Sequence, residues 1–157
     1  MNNMLHLPPI PTSILGLSNI TIEDASMDDV GDFIIKVKSL DQVIKCKKCK
    51  GITSPHGYNR SIRLRHLPVF GHKTYIEISP ARGICNNCDN RPTTTESSEW
   101  YNPGSSYTKA YEKHAMLSLI NSTISDVSTK EDLGYKAIEA IVDRYIESKV
   151  NWNDISE

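Results

Sequence analysis

The sequence has few aromatic residues and no long apolar run. Only 7% of its 157 residues are aromatic, with two Phe and two Trp, so any hydrophobic core must rely on Ile, Leu and Val. No apolar stretch approaches the run of about 20 residues that a transmembrane helix needs. The N-terminus has neither the basic region nor the apolar region of a secretory signal. We therefore expect a cytoplasmic protein with no membrane contact.

Charge is nearly balanced over the whole chain but uneven along it. The net charge is −1, whereas residues 45–91 hold ten Lys and Arg against two acidic residues, a net +8. The flanking segments 1–44 and 92–157 carry −4 and −5. A basic block between acidic flanks attracts phosphate backbones, which makes nucleic acid a candidate partner. A solvated face without a partner fits the same charges.

The cysteines form two C-x2-C pairs inside this basic block. Cys46 and Cys49 enclose two lysines, and Cys85 and Cys88 enclose two asparagines after a gap of 35 residues. A C-x2-C turn offers two thiolates to one ion, and two such turns complete the four-thiolate shell that structural zinc prefers. We predict one structural Zn²⁺ at these four residues. A closed shell leaves no open coordination position, so a catalytic metal is not expected.

Two alternatives for the cysteines fit less well. Disulfides need an oxidising compartment, and a redox C-x2-C motif needs a thioredoxin-like βαβ pattern around it. His56, His66 and His72 lie between the two pairs. With four cysteines available, we assign none of these histidines as a ligand.

Alternating apolar residues predict strands around the first cysteine pair. One strand is expected within 32–39, and a hairpin is expected from 61–65 and 74–78 with its turn at 68–71. The hairpin would present a basic side to solvent, made by Arg60, Arg63, Arg65 and Lys73. A small antiparallel sheet tied by zinc is typical of a zinc ribbon, in which the metal supplies folding energy.

After residues 102–106 the apolar period lengthens to that of a helix. The first predicted helix has one apolar face, made by Tyr107, Tyr111, His114, Leu117 and Ile120. A short second helix should end near Asp132, and Gly134 should take the left-handed conformation of the turn before a third helix. The pattern is typical of a helix-turn-helix, and a plain helical bundle fits it equally well.

The sequence therefore predicts an α+β protein in which a small zinc-ribbon β module precedes an all-α helix-turn-helix module. Residues 1–30 are expected to be a loosely ordered N-terminal arm, 31–101 the zinc-ribbon domain and 102–157 the helix-turn-helix domain.

The cysteine pairs and the residues between them also resemble a known family. The segments C-K-K-C, R-L-R-H-L-P-V-F-G and I-E-I-S-P-A-R-G-I-C-N-N-C are similar to the zinc-ribbon region of ISL-three-type insertion-sequence transposases. The matching positions are Cys46, Cys49, Arg65, Leu67, Pro68, Gly71, Arg82, Cys85 and Cys88. The helical segment from S-S-Y-T-K-A-Y-E-K-H onward looks like that family's second module. This sequence departs from the family pattern at Asp132, where such a turn often has Gly.

The resemblance implies binding to double-stranded DNA at the terminal inverted repeats of a mobile element. Phosphate contacts are expected from the basic block, and groove contacts from the third helix. The candidates in the basic block are Lys47, Lys48, Arg60, Arg63, Arg65, Lys73 and Arg82, and those in the third helix are Lys136 and Arg144.

In such transposases an RNase H-like catalytic domain follows the helix-turn-helix. We find no room for it before residue 157, so we expect no enzymatic activity and assign no catalytic residue. The competing hypothesis is a zinc-ribbon assembly module without DNA affinity. In that case the acidic flanks of one chain would pair with the basic block of another to form a homodimer.

Overall fold

The computed structural model describes residues 11–40 and 43–149. Within them the chain forms a 3₁₀ helix (Thr12–Leu15), strands β1 (Ile20–Met27), β2 (Phe33–Ser39), β3 (Ser54–Tyr58), β4 (Ile62–Val69), β5 (His72–Ile78), β6 (Ala81–Ile84) and β7 (Thr93–Thr95), and helices α1 (Lys109–Ser118), α2 (Ile124–Glu131) and α3 (Tyr135–Lys149). The α+β class expected from the sequence is confirmed. None of the helices described is long and apolar enough to cross a membrane.

The described strands form two separate sheets. In the first, which we call the larger sheet, the strand order is β1-β2-β5-β4. Strands β2 and β5 run parallel, and the other neighbours run antiparallel. In the second, which we call the cysteine sheet, the order is β3-β6-β7 with antiparallel pairing. The predicted hairpin forms as β4–β5, but it belongs to the larger sheet, whose strands carry none of the cysteines.

The hydrophobic core lies on the larger sheet. It contains Leu15, Leu17, Ile20, Ile35, Val37, Leu64, Ile76, Ile78, Trp100 and Tyr101. Burying an aliphatic side chain of this size stabilises a fold by about 1.5–3 kcal/mol, so this region has a core that needs no metal. The sequence predicts one small sheet tied by zinc, whereas the larger sheet is stabilised by its own hydrophobic core.

The N-terminal segment differs from the loosely ordered arm that the sequence predicts. Residues 1–10 lie outside the described part, but residues 20–27 form β1 and pair with β2 along its length. Leu15, Leu17 and Ile20 are all buried in the core. The prediction of a loose arm is therefore wrong for residues 11–30, because the acidic character of this segment masked three apolar anchors.

The helices begin and end at identifiable caps. Thr108 caps α1 by accepting a hydrogen bond from the Tyr111 backbone N–H at 3.2 Å. Thr123 and Asp126 form a reciprocal capping box at the start of α2. Helix α2 ends at Glu131, next to Asp132 as predicted, but Asp132 takes the left-handed conformation with φ 49°, whereas Gly134 does not. The expectation for Gly134 was therefore wrong.

The face of α1 also differs from its prediction. Tyr111, Glu112 and Ala115 are buried, whereas Leu117 and Ile120 are exposed. Helix α1 packs against β4 and also against α2 and α3, so its buried face depends on all three elements and not on the apolar residues of the helix alone.

The helices are joined to β4 through backbone and side-chain hydrogen bonds. The Arg65 N–H donates to the Ser106 carbonyl at 2.9 Å, and the Thr108 N–H donates to the Arg65 carbonyl at 3.0 Å. His66 is buried beside them and lies within hydrogen-bond distance of the Thr108 hydroxyl and the Leu15 carbonyl. The larger sheet and the helical segment are therefore in direct contact at β4.

Candidate metal centre and nucleic-acid interface

Two tight loops bring the four cysteines together. The ligand atoms of Cys46, Cys49, Cys85 and Cys88 all lie within 4.8 Å of one another. The Sγ–Sγ distances are 4.0 Å for Cys46–Cys88 and 3.7 Å for Cys49–Cys85. With Zn–S bonds of about 2.3 Å, a tetrahedral site needs Sγ atoms about 3.8 Å apart. The donor set and its spacing therefore fit a tetrahedral metal ion.

Each loop is closed by its own backbone hydrogen bond. The Cys46 N–H donates to the Gly51 carbonyl at 2.8 Å, and the Cys85 N–H donates to the Pro92 carbonyl at 2.9 Å. Left-handed residues close both turns: Lys50 at φ 61° in the first, and Asn90 at φ 64° with its neighbour at φ 42° in the second. Because this geometry is local, the C-x2-C spacing was sufficient to predict it.

Close packing holds the first loop against the cysteine sheet. Gly83 in β6 faces Thr53, and a Cβ atom at Gly83 would lie 1.9 Å from the Thr53 Oγ1. The Thr53 hydroxyl in turn donates to the Ile44 carbonyl at 2.7 Å. Any side chain at Gly83 would push the two loops apart.

Two of the four thiols have pKa values shifted in opposite directions. Backbone N–H groups of Cys49 and Lys48 lower the pKa of Cys46 to about 7. The pKa of Cys88 is raised to about 12, chiefly by its hydrogen bond with the Cys49 thiol and by burial. Adding negative charge to four crowded sulfurs is unfavourable unless a cation compensates it. The cluster is therefore suited to a metal such as Zn²⁺, which the cysteines would hold as a structural ion.

Six cations lie within a few residues of the cysteines along the chain and have no carboxylate partner among the described residues. We call this set the cationic rim, and it consists of Lys45, Lys47, Lys48, Lys50, Arg82 and Arg91. Arg82 and Arg91 donate to the neutral oxygens of Thr93 and Asn86. Lys47, Lys48 and Arg82 were predicted DNA contacts, whereas Lys45, Lys50 and Arg91 were not. Their nearness to the cysteines in sequence was the signal that could have found them.

Other predicted DNA contacts form ion pairs within the chain. Arg63 pairs with Glu77 at 2.8 Å, Lys73 pairs with Asp132, and Arg144 pairs with Glu112 at 2.6 Å. Arg60 and Lys136 are exposed and have no ion pair among the described residues. The structure therefore divides the predicted DNA contacts into paired and unpaired cations.

Arg65 is the clearest departure from the sequence prediction. Only 8% of its surface is exposed. Its guanidinium lies 4.8 Å from the centre of the Tyr111 ring and 3.9 Å from the Glu131 carboxylate. Glu131 also accepts hydrogen bonds from the Tyr111 hydroxyl and the His114 Nε2–H, both at 2.9 Å. Arg65 connects β4 to the helices, so this buried guanidinium is no longer a candidate for a phosphate contact.

Helix α3 presents a mixed surface. Lys136, Glu139 and Asp143 are exposed, and Ile138 and Ile141 are buried against the other helices. Helices α2 and α3 are joined by a tight turn at Asp132. In such arrangements the N-terminal residues of the second helix can enter the major groove of DNA.

The helical segment matches a known protein family. Residues 96–146 match the family model described as the helix-turn-helix domain of transposase family ISL3. The match covers about a third of the chain, and it includes α1, α2 and most of α3. The resemblance to ISL-three-type transposases is thereby confirmed for this segment. Comparisons with curated proteins and with solved structures found no match.

Proposed function

We propose that this chain binds duplex DNA as the recognition region of a transposase, at the terminal inverted repeats of an insertion sequence. The observation that carries the proposal is the match of residues 96–146 to a transposase helix-turn-helix domain. The basic surface around the cysteine cluster supports it, because phosphate contacts supply much of the affinity of DNA-binding proteins.

The cationic rim is the proposed phosphate-binding surface. Lys47 and Lys48 are exposed at the tip of the first cysteine loop, and Arg91 is exposed beside the second. Asp89 is the acidic residue within this loop pair. Because the rim cations lack carboxylate partners among the described residues, their charge is available to DNA without first breaking an ion pair.

Zinc would have a structural role in this surface. Cys46, Cys49, Cys85 and Cys88 would hold the ion and fix both loops that carry the rim. Four thiolate ligands leave no position for a water or a substrate, so the metal would supply folding energy and no bond chemistry. The cysteine sheet would then be the zinc-ribbon part of the chain.

Helix α3 is the proposed base-reading element. Lys136 is exposed in its first turn, and Glu139 is exposed one turn further on. A lysine can donate to guanine, and a glutamate can accept from the cytosine amino group. Arg144 is a weaker candidate, because its guanidinium already donates to Glu112.

The test is duplex binding by the zinc-loaded chain over a series of salt concentrations. A preferred site would first be selected from a pool of random-sequence duplexes, and then compared with a scrambled duplex of the same composition. We expect the selected duplex to bind more tightly, and both affinities to fall linearly on a logarithmic salt scale. The selected site should match the ends of the element that carries the gene.

The control for base reading is Lys136→Gln compared with Lys109→Gln, which removes an exposed lysine from α1. The first variant should reduce the preference for the selected duplex, and the second should leave that preference unchanged. No affinity for any duplex would reject the proposal. Concentration-dependent association without DNA binding would favour the assembly module that the sequence left open.

A further inference from the structure

An exposed apolar surface lies at one end of the larger sheet. The β1–β2 turn and the β4–β5 turn meet there, because the His72 Nδ1–H donates to the Gly31 carbonyl at 3.0 Å. We call this end the tip surface, and define it as Met27, Val30 and Phe70 with the acidic residues Asp28 and Asp29. The side chains of Phe70 and Val30 are the most exposed of the large apolar residues there, at 98% and 81%.

Phe70 occupies an unfavourable backbone position. It has φ 48° and is followed by Gly71 at φ 78°, so both residues of this two-residue turn are left-handed. Such turns favour Asn-Gly, and a bulky residue in the first position is strained. Because Phe70 is exposed, no burial against the described part of the chain offsets this strain. A strained and exposed aromatic residue indicates a function outside the folded monomer.

The charges around Phe70 favour a protein partner over DNA. Asp28 and Asp29 lie in the adjacent turn, and the nearby Lys73 is neutralised by Asp132. His72 donates to the Gly31 carbonyl. An apolar surface with an acidic edge repels phosphates but complements an apolar groove with a basic edge.

Such a groove lies at the opposite end of the same sheet. It has a volume of about 310 Å³ and lies between the larger sheet and the cysteine sheet. Its apolar lining includes Leu40, Val43, Ile52 and Tyr58, each more than half exposed. A second groove of about 250 Å³ shares Tyr58 with it.

The edges of these grooves are mainly basic. Arg82 lines the first groove, and Lys36 and Lys38 line the second. Glu23 lines the second groove as well, so the edge is not purely basic. The Glu96 carboxylate in the first groove already accepts from the Ser39 hydroxyl and the Ala81 N–H. Among the described lining residues, the two grooves together carry three cations against two carboxylates, so they offer an incoming acidic turn a net positive charge.

We propose that the tip surface of one copy of this chain docks into the groove of a second copy, and that the contact is reciprocal. Strand β2 begins at Phe33 beside the tip surface and ends at Ser39 beside the groove. Seven residues of extended strand span roughly 20 Å, so a tip cannot reach the groove of its own chain. Two antiparallel copies related by a two-fold axis satisfy both contacts and close the assembly.

The first experiment measures the mass of the full-length, zinc-loaded chain by sedimentation equilibrium over a hundredfold range of concentration. The wild type should pass from monomer to dimer. Phe70→Asn replaces the aromatic ring with a residue that this turn favours, so the fold should be retained or stabilised while the dimer dissociation constant rises by about tenfold or more. Leu117→Asn is the matched control, since it removes an exposed apolar residue elsewhere and should leave the dimer unchanged.

A mixing experiment tests reciprocity. Ile52→Glu places a like charge in the groove that receives Asp28 and Asp29, so this variant should be monomeric by itself. A mixture of Phe70→Asn and Ile52→Glu chains retains one intact tip and one intact groove, so it should form a heterodimer weaker than the wild-type dimer. A wild type that stays monomeric, or a Phe70→Asn chain that dimerises normally, overturns the proposal.

DNA affinity measured on the same variants separates this proposal from the proposed function. A wild type that binds DNA but never dimerises overturns the docking proposal alone. A wild type that dimerises through Phe70 without binding DNA overturns the DNA-binding function alone. If Phe70→Asn weakens DNA binding of a monomeric chain, the tip surface contacts nucleic acid, and the second-copy proposal is wrong.

Discussion

The cysteine sheet and the larger sheet use positive charge in different ways. Around the cysteines, Lys47, Lys48 and Arg82 have no carboxylate partner among the described residues. On the larger sheet, Arg63 and Lys73 each pair with an acidic side chain. The basic block that looks continuous in the sequence is therefore divided in space. Its charge is available to a partner on the cysteine sheet, whereas on the larger sheet much of it is compensated within the chain.

The two sheets also differ in what stabilises them. The larger sheet has an aliphatic core that includes Leu64 and Ile76, both fully buried. In the cysteine sheet, the fully buried side chains include two of the four candidate metal ligands, Cys46 and Cys85. The comparison predicts that the two regions respond to different perturbations: the cysteine sheet to metal, and the larger sheet to loss of core contacts.

Metal removal should have the largest effect. Structural zinc contributes on the order of 10 kcal/mol of apparent binding free energy in small zinc modules, so its chelation should unfold the cysteine sheet. The larger sheet should keep its fold. Backbone NMR spectra recorded before and after chelation would show selective loss of the signals of residues 45–52 and 81–95.

The metal dependence can be checked by substitution as well. Cys85→Ser should abolish binding of one equivalent of zinc, and Asn87→Ser in the same loop should retain it. Uniform loss of signals across both sheets would show that they unfold as one unit, and would contradict the comparison.

Replacing Arg65 should have the next largest effect, and it should lower the stability of the fold more than the affinity for DNA. Arg65→Met removes a buried guanidinium and leaves the partly buried Glu131 carboxylate without it, which should lower the free energy of unfolding by about 3 kcal/mol. Arg63→Gln removes a more exposed cation and should cost less than about 1 kcal/mol. Urea unfolding of both variants measures the difference. Equal effects would show that Arg65 is no more tightly integrated than a surface residue.

The cationic rim predicts a smaller effect that is confined to DNA binding. Each phosphate contact contributes about 0.9 to the slope of log affinity against log salt, so the double variant Lys47→Gln/Lys48→Gln should lower that slope by roughly 1–2. Its stability should not change. Arg63→Gln, which removes a paired cation, should leave the slope almost unchanged. The reverse order of effects would mean that DNA binds the larger sheet.

The sequence was most informative where structure depends on neighbouring residues. The C-x2-C spacing predicts the cysteine cluster because each loop closes on itself within a few residues. The apolar period predicts α2 and its end near Asp132. Choosing between Asp132 and Gly134 for the left-handed position was harder, because both residue types accept positive φ and the choice depends on where the last helical hydrogen bond forms.

The partners of charged side chains could not be predicted, because they depend on tertiary contacts. Arg65 lies in a basic strand pattern, and its burial follows from the approach of Tyr111 and Glu131 from distant parts of the chain. The pairing of β1 with β2 was also missed, since an irregularity between Ile22 and Asp24 interrupts the alternation of β1. The division of the strands into two sheets could not be predicted either, because strand order depends on tertiary contacts in the core.

His66 offers the subtlest test of the contact between the larger sheet and the helices. The Thr108 Oγ1 accepts from the Tyr111 N–H, so its hydroxyl proton is free to donate to the His66 Nδ1 at 2.8 Å, while the Nε2–H donates to the Leu15 carbonyl at 3.0 Å. This arrangement requires the neutral imidazole, and burial lowers the pKa of His66 below 6.5.

The unfolded state therefore binds a proton more readily, so stability should be complete above about pH 6.5 and fall as the pH drops below that value. The pKa values of Asp126 and Asp132 are lowered from 3.8, so their contributions are lost in a separate and more acidic range. Thermal melts from pH 7.5 to 5 should show a shallower decline for His66→Gln, whose amide can replace one hydrogen bond without titrating. An identical decline in the variant and the wild type would assign the pH dependence to other groups, and the contact would then be insensitive to His66 protonation.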